Sequence, residues 1–281
     1  MVIQKNIVVL LLTNQLFYKM KIREFILRDD CDVLMLSKEN LIKTILPELY
    51  ALKRAPGESG FKDNYEHTAG VLTNVMKDET ELNVSMRLIA ILHDIGKATT
   101  KKHNGKKYTF HNHENVSEKL AKDIFKRDDC GLTIAERENI LTIIRLHGRP
   151  KAITEEGVTN SAVRRLLADA GESFYDLIVF CKYDATTKYE DKKKRYAMAM
   201  DELLVRAVKI HKQDELEKWR PPFTGNDIME ILELSQSERS NTGNTIGKIK
   251  NQMIELIKSG KLAEEREACL QYIHNLKKET K

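Results

Sequence analysis

Apolar positions recur along this 281-residue chain at helical spacing, and they predict helices almost throughout. Leu41, Ile42, Ile45, Leu46, Leu49, Tyr50 and Leu52 fall on one helix, with Ser37 as its cap and Pro47 as a bend. Pro56-Gly57-Glu58-Ser59-Gly60 predicts a loop, and Asn64 can cap a following helix that carries His67 in its first turn. Residues 84–95 predict an apolar helix ended by Ile95-Gly96. A polar loop with Gly105 and lysines at 101, 102, 106 and 107 leads to Tyr108-Thr109-Phe110, and a helix over 113–126 follows. Thr133 with Glu136 three residues later is a capping box for a helix over 134–147, which stops at His147-Gly148 before Pro150. More helices are predicted over 160–170, 173–187 and 190–213, the last carrying a charged EDKKKR face that reads as solvated. Trp219-Arg220-Pro221-Pro222 must stop it. Beyond lie helices at Asp227–Leu234, Thr245–Ser259 and 263–277, with Thr224-Gly225-Asn226-Asp227 read as a turn plus helix cap. No internal repeat or β-alternation of useful length interrupts this pattern, so the fold class is all-α.

Composition sharpens the picture in a few places. An apolar share of 41% suffices for one large domain, or one domain with an appendage. Low aromatic content with abundant Leu, Ile, Lys and Glu favours helix over sheet. The formal net charge of +5 is compatible with an anionic substrate, although solvated surface charge accounts for most of it. Cys31, Cys130, Cys181 and Cys269 are far apart and form no CxxC pair, as in a reduced cytoplasmic protein. No apolar run approaches the roughly 20 residues of a membrane span, and Ile7–Leu12 is short for a signal-peptide core. A second methionine at position 20 suggests that residues 1–19 are a disordered extension or lie upstream of the true start. The expected organisation is an N-terminal extension over 1–36, a catalytic body over 37–219 and a small helical tail over 220–281.

The chemistry concentrates in LIAILHDIGK, Leu88–Lys97. A carboxylate beside an imidazole at the end of an apolar helix is costly to bury unpaired, and a metal ion satisfies both groups. The chain supplies further ligand types in His67 (YEHTAGVL), His113 (FHNHE), His147 (IIRLHGRP) and Asp184 (FCKYDATTKYE). Imidazole with carboxylate suits Mn, Fe, Co, Ni or Zn, whereas Mg prefers oxygen alone. His103, His111, His211 and His274 read as packed or surface residues; His111 is the nearest rival to His113, but only His113 is followed directly by Glu114 and an amphipathic helix.

This ordered set of His, His-Asp, His, His and Asp resembles the HD-domain metal-dependent phosphohydrolases, in the version that holds two metals. The resemblance implies an HD helical bundle in which Asp94 bridges two divalent transition-metal ions. His67, His93 and Asp184 then complete one ion, and His113 and His147 the other. Lys97, three residues past Asp94, can neutralise a phosphoryl oxygen. Lys188, four residues after Asp184 on the predicted helix, can hold the phosphate from the far side; an arginine is usual there, and lysine offers a point charge instead of a fork. Arg149 completes the substrate-binding cations.

YEHTAGVL, MRLIAILHDIGKATT, YTFHNHE, IIRLHGRP and NSAVRRLLADAG also resemble the HD region of bacterial tRNA nucleotidyltransferases, the CCA-adding enzymes. RPPFTGNDIMEILEL and IGKIKNQMIELIKSGK are similar to the segment that follows HD in some of them. Nothing here reads as their nucleotidyltransferase head, so nucleotide addition is not expected. The site is also similar to the HD module fused to polynucleotide kinases in RNA-repair proteins; no P-loop is present, so a kinase partner would be a separate protein. The expected activity is hydrolysis of a phosphoester at an RNA 3′-end or of a nucleotide, with 2′,3′-cyclic phosphate or 2′-phosphate favoured. The alternatives are a phosphohydrolase of (deoxy)nucleoside mono- or triphosphates or a signalling nucleotide, and a non-catalytic module that grips tRNA-like RNA around structural metals. Lys248, Lys250, Lys258 and Lys261 would serve the RNA contact.

Overall fold

The computed structural model describes residues 20–55, 63–78, 83–154, 158–234 and 239–279. The described residues begin with four short helices: α1 (Ile22–Ile26), α2 (Cys31–Ser37), α3 (Glu39–Ile45) and α4 (Pro47–Tyr50). Longer ones follow as α5 (Asn64–Asp78) and α6 (Val84–Leu92). A turn leads to α7 (Lys97–Thr100) and to a two-residue antiparallel ribbon, β1 (Lys102–His103) with β2 (Tyr108–Thr109). Next come α8 (His113–Arg127), α9 (Ile134–Leu146), α10 (Arg149–Ile153), α11 (Asn160–Ala170), α12 (Phe174–Asp184) and α13 (Glu190–Lys218). The chain closes with α14 (Gly225–Ile231), α15 (Arg239–Lys258) and α16 (Arg266–Glu279). The fold is all-α. The expected loop at 56–60 and the segment 1–19 lie outside the described residues.

The centre of the first unit is α6. Its residues Met86–Leu92 are all buried, as befits a helix that is apolar all round, and Asn83 caps it by accepting the Met86 amide at 2.9 Å. Helices α1, α5, α9 and α12 pack around it. The one charged residue within it, Arg87, is buried because its guanidinium donates to the carbonyls of Ile26 (3.0 Å) and Arg28 (2.9 Å).

That contact corrects the expectation of an extension reaching to residue 36. Ile22, Phe25, Ile26, Cys31, Leu34 and Met35 belong to the same core as α6. Asp128 accepts the Ile22 amide at 3.0 Å, and the Arg23 guanidinium donates to the carbonyls of Cys130 and Gly131. Two cap assignments also change. Ser37 ends α2, its hydroxyl donating to Val33, and Pro47 breaks the following helix in two instead of bending it. Asp63, not Asn64, caps α5 by accepting the Glu66 amide, while the Asn64 amide group donates to Ala55.

Contacts divide the chain into a unit up to His211 and a unit from Lys212 onward, a division inside α13 instead of at the expected 219/220. The second unit has its own small core of Phe223, Ile228, Met253, Ile257, Cys269 and Ile273. No helix among the described residues is long and apolar enough to cross a membrane. The four cysteines are buried and unpaired.

Candidate metal centre

The helix α6 stops at Leu92, so His93 and Asp94 occupy a turn and not a helix. Adjacent helical positions point about 100° apart. The turn relieves that divergence and brings His93 Nε2 within 3.3 Å of Asp94 Oδ2. Gly96 then lies hard against the start of α8. A Cβ there would sit 2.4 Å from the His113 carbonyl and 2.7 Å from the Ser117 amide nitrogen. The Gly96 amide donates to Ser117 Oγ at 2.9 Å. Only glycine permits this approach, and the approach is what carries His113 to Asp94.

The six expected ligands converge from five segments of the first unit. Asp94 is 1% exposed, and its two oxygens face different groups. Oδ2 lies 3.6 Å from His67 Nε2 and 3.3 Å from His93 Nε2, and Asp184 Oδ1 approaches the same two nitrogens at 2.9 and 3.4 Å. Oδ1 faces His113 Nε2 at 3.2 Å and His147 Nε2 at 3.6 Å. Geometry alone singles out two ligand triads, His67–His93–Asp184 and His93–Asp94–His147.

Every one of the four imidazoles is held from behind. Nδ1 of His93, His113 and His147 meets the carbonyl three residues earlier, on Ala90 (2.9 Å), Phe110 (2.8 Å) and Ile144 (2.7 Å). Nδ1 of His67 meets Thr186 Oγ1 at 2.8 Å. A carbonyl can only accept, so the Nδ1 of those three rings carries hydrogen and their Nε2 atoms point inward, ready to ligate a cation once deprotonated. This is how metal-ligating histidines are oriented. Phe180 packs edge-on to His93 with ring centroids 5.3 Å apart, closing the apolar side.

The inward atoms crowd against one another without well-formed hydrogen bonds. His93 Nε2, His113 Nε2, Asp94 Oδ1 and Asp184 Oδ1 are buried without a hydrogen bond. Leaving such groups unsatisfied costs about 1–3 kcal/mol each, more where a charge is involved. The electrostatics ask for a cation. Burial by itself would lower the His93 pKa, yet the carboxylates of Asp94 and Asp184 outweigh it and push it up to about 10 in the metal-free chain. Burial likewise opposes ionisation of Asp94, but His93 and Lys97 hold its carboxyl well below the usual range. The donor set of imidazole nitrogens and carboxylate oxygens fits divalent transition metals, and these residues can hold them.

Three cations were expected to face substrate, and they fare differently. Lys97 Nζ sits 2.7 Å from Asp94 Oδ2 and over the Phe110 ring, at the mouth of the centre. Lys188 is exposed, with its ammonium 5.5 Å from the Tyr189 ring. The premise of a shared helix face with Asp184 does not hold, because α12 ends at Asp184. Arg149 is paired with Asp169.

Sequence reasoning missed Thr186, which has no motif of its own. The carbonyl anchors left more of a trace. His93 and His147 stand just past the last turns of α6 and α9, where carbonyls lack intrahelical partners and a ring N–H is a natural donor. His111 is exposed, and His103 packs on Tyr108 in the ribbon.

A family model for the HD domain matches residues 64–218, and this span contains all six of the expected ligands. No curated protein matches the chain. With more than half its length matched and the ligands gathered around Asp94, the chain belongs to the HD-domain family, in general metal-dependent phosphohydrolases.

Proposed function

We propose that this chain is a two-metal phosphohydrolase acting on a phosphoester of an RNA 3′-end or a nucleotide, with 2′,3′-cyclic phosphate or 2′-phosphate as the favoured substrate. The observation that carries the two-metal reading is the division of labour at Asp94: Oδ2 faces His67 and His93 beside Asp184, while Oδ1 faces His113 and His147. When bound, divalent transition metals lower the pKa of coordinated water towards neutrality and polarise the phosphoryl group. The protein's own part is to fix the ligands. The Nδ1 contacts lock the rings, and Phe180 packs against His93 from the apolar side. The Lys97 ammonium, 2.7 Å from Asp94 Oδ2, is placed to donate to a phosphoryl oxygen as charge builds on it.

The RNA-end preference rests on the motifs shared with tRNA nucleotidyltransferases and HD–polynucleotide kinase proteins. The tail, with Lys248 and Lys258 exposed on α15, is consistent with an RNA partner. A cytoplasmic setting accords with four unpaired thiols; burial pushes Cys31 up to about 11 and Cys130 up to about 12, which keeps them inert.

The test is a panel of cyclic and linear nucleotide esters offered to metal-stripped protein reloaded with Mn, Co, Ni or Mg. Hydrolysis of a 2′,3′-cyclic or 2′-phosphate with a transition metal, and little with Mg, is expected. Equal turnover with Mg alone would overturn the histidine-centred reading; preference for nucleoside triphosphates would move the substrate to the nucleotide alternative.

A further inference from the structure

A cavity of about 370 Å³ opens beside Asp184, walled by Lys151, Thr186, Thr187, Lys192 and Tyr196. It joins the metal centre at two points. Asp184 lines both, and Thr186 is also the residue that meets His67 Nδ1 at 2.8 Å. Neither Lys151 nor Lys192 is ion-paired among the described residues, and both are exposed. The Lys192 ammonium lies 5.0 Å from the Tyr189 ring, which steadies the side chain without neutralising it. Asp184, the one acid in the lining, turns its Oδ1 towards His67 and His93, so the two lysines outnumber it and the cavity's balance is positive.

Two other described cavities lack this character. One of about 530 Å³ is lined by Glu136, Glu138, Glu172 and Asp176, and it repels phosphate. The other, about 260 Å³ beside His113, sets Glu114 against Lys107. Lys97 stands beside Asp94, where the proposed ester would lie. Lys151 and Lys192 line a separate cavity beside Asp184, placed to meet a second anion, and the volume leaves room for a ribose as well.

We infer that this cavity binds a second phosphate of the substrate, next to the ester held at the metal centre, so the preferred substrate carries two phosphates and not one. The inference rests on the phosphoester reading above, and it adds Lys151 and Lys192 as cations for a phosphate other than the one at the centre.

Calorimetric titration of the full-length protein, metal-stripped and Mn-loaded, with adenosine 3′,5′-bisphosphate and adenosine 3′-monophosphate tests it. The bisphosphate binds at least about tenfold tighter, the gain of one charge-assisted contact. That preference shrinks with rising salt. It disappears in a Lys151→Met/Lys192→Met double variant and is reduced in each single variant; all three fold normally because both lysines are exposed. Equal affinities in the wild type, or a preference that survives the double variant, would overturn the assignment. If the lysine-dependent preference is found but no ester is hydrolysed with any metal, the cavity stands and the phosphohydrolase reading falls. If hydrolysis is found without the preference, the reverse holds.

Discussion

Two clusters in this chain gather a carboxylate with several polar neighbours, and they resolve differently. In the C-terminal unit, Asp227 Oδ2 accepts from the Thr224 amide (2.6 Å) and hydroxyl (2.8 Å), and Oδ1 accepts from Arg266 Nη2 (2.6 Å). Both oxygens are satisfied by the chain. At the metal centre one oxygen of each carboxylate and two imidazole nitrogens are buried without a hydrogen bond. The first cluster stabilises a helix end by itself. The second is costly on its own and is held in place by the helices around it, which is the mark of a site built for something the chain does not contain.

The sharpest way to break this contrast is to remove the group on which both halves of the centre depend. Asp94→Ala leaves neither half with a full ligand set. Metal content measured on the purified protein should fall to background, and hydrolysis should be lost. Wild-type protein at a free metal concentration of 1,000 times Kd gains about 4 kcal/mol of stability by mass action. That increment, read as a metal-dependent rise in Tm, should vanish in Asp94→Ala. A variant that kept it would place the ions elsewhere.

Gly96→Ala tests whether the close approach of the turn to α8 positions His113. The added Cβ meets backbone atoms at 2.4 and 2.7 Å, so the chain must shift. A loss of about 1–3 kcal/mol in the metal-free protein is expected from overpacking, with weaker metal binding besides. Unchanged stability and affinity would show that the turn tolerates displacement and that glycine there is incidental.

Thr186→Val sharpens the contrast from the other side, because it deletes a single anchor behind a ligand. Loss of such a partner costs about 10–100-fold in metal affinity. Thermal stability without metal should barely move, since Thr186 is only partly buried. Thr186→Ser restores the hydroxyl and should restore affinity. If Val and Ser behave alike, the ring of His67 is oriented by packing alone.

Much of this was legible in the sequence, for local reasons. The Thr133–Glu136 box is read from three-residue spacing and is formed; Thr224–Asp227, read as a turn plus helix cap, closes into a capping box as well. Long apolar periodicities located α5, α6, α8 and α9 because each buries a continuous face. What failed depended on distant partners or on a helix's last residue. Residues 22–36 read as an extension because their helices are too short for periodicity; partners on later elements, among them Arg87, Asp128 and Cys130, reveal that they are core. Lys188 was placed by extending α12 one turn too far. Arg149 lies in a well-marked motif, but its partner Asp169 is twenty residues away, beyond the reach of local pattern.

The smallest expected effect lies in the satisfied cluster, where acid should undo what the chain completes. Hydrogen bonds from Thr224, side chain and backbone, and then from Arg266 hold the Asp227 carboxyl below its usual range. A depressed folded-state pKa contributes stability that is fully present above the unfolded value, about 3.9, and is lost as pH falls through the folded one. Arg266 is 58% exposed at its side chain, so screening limits the pair to below about 1 kcal/mol. Hydrogen exchange of the α14 amides in the full chain is the suitable readout, because it reports local opening. Arg266→Met should quicken exchange two- to fivefold at neutral pH, and its difference from wild type should close as the pH falls through the depressed pKa of Asp227. A difference that persisted in acid would mean that Arg266 acts through its contact with the Pro222 carbonyl, which does not titrate, and that the tail's helix end is fastened by main chain instead of charge.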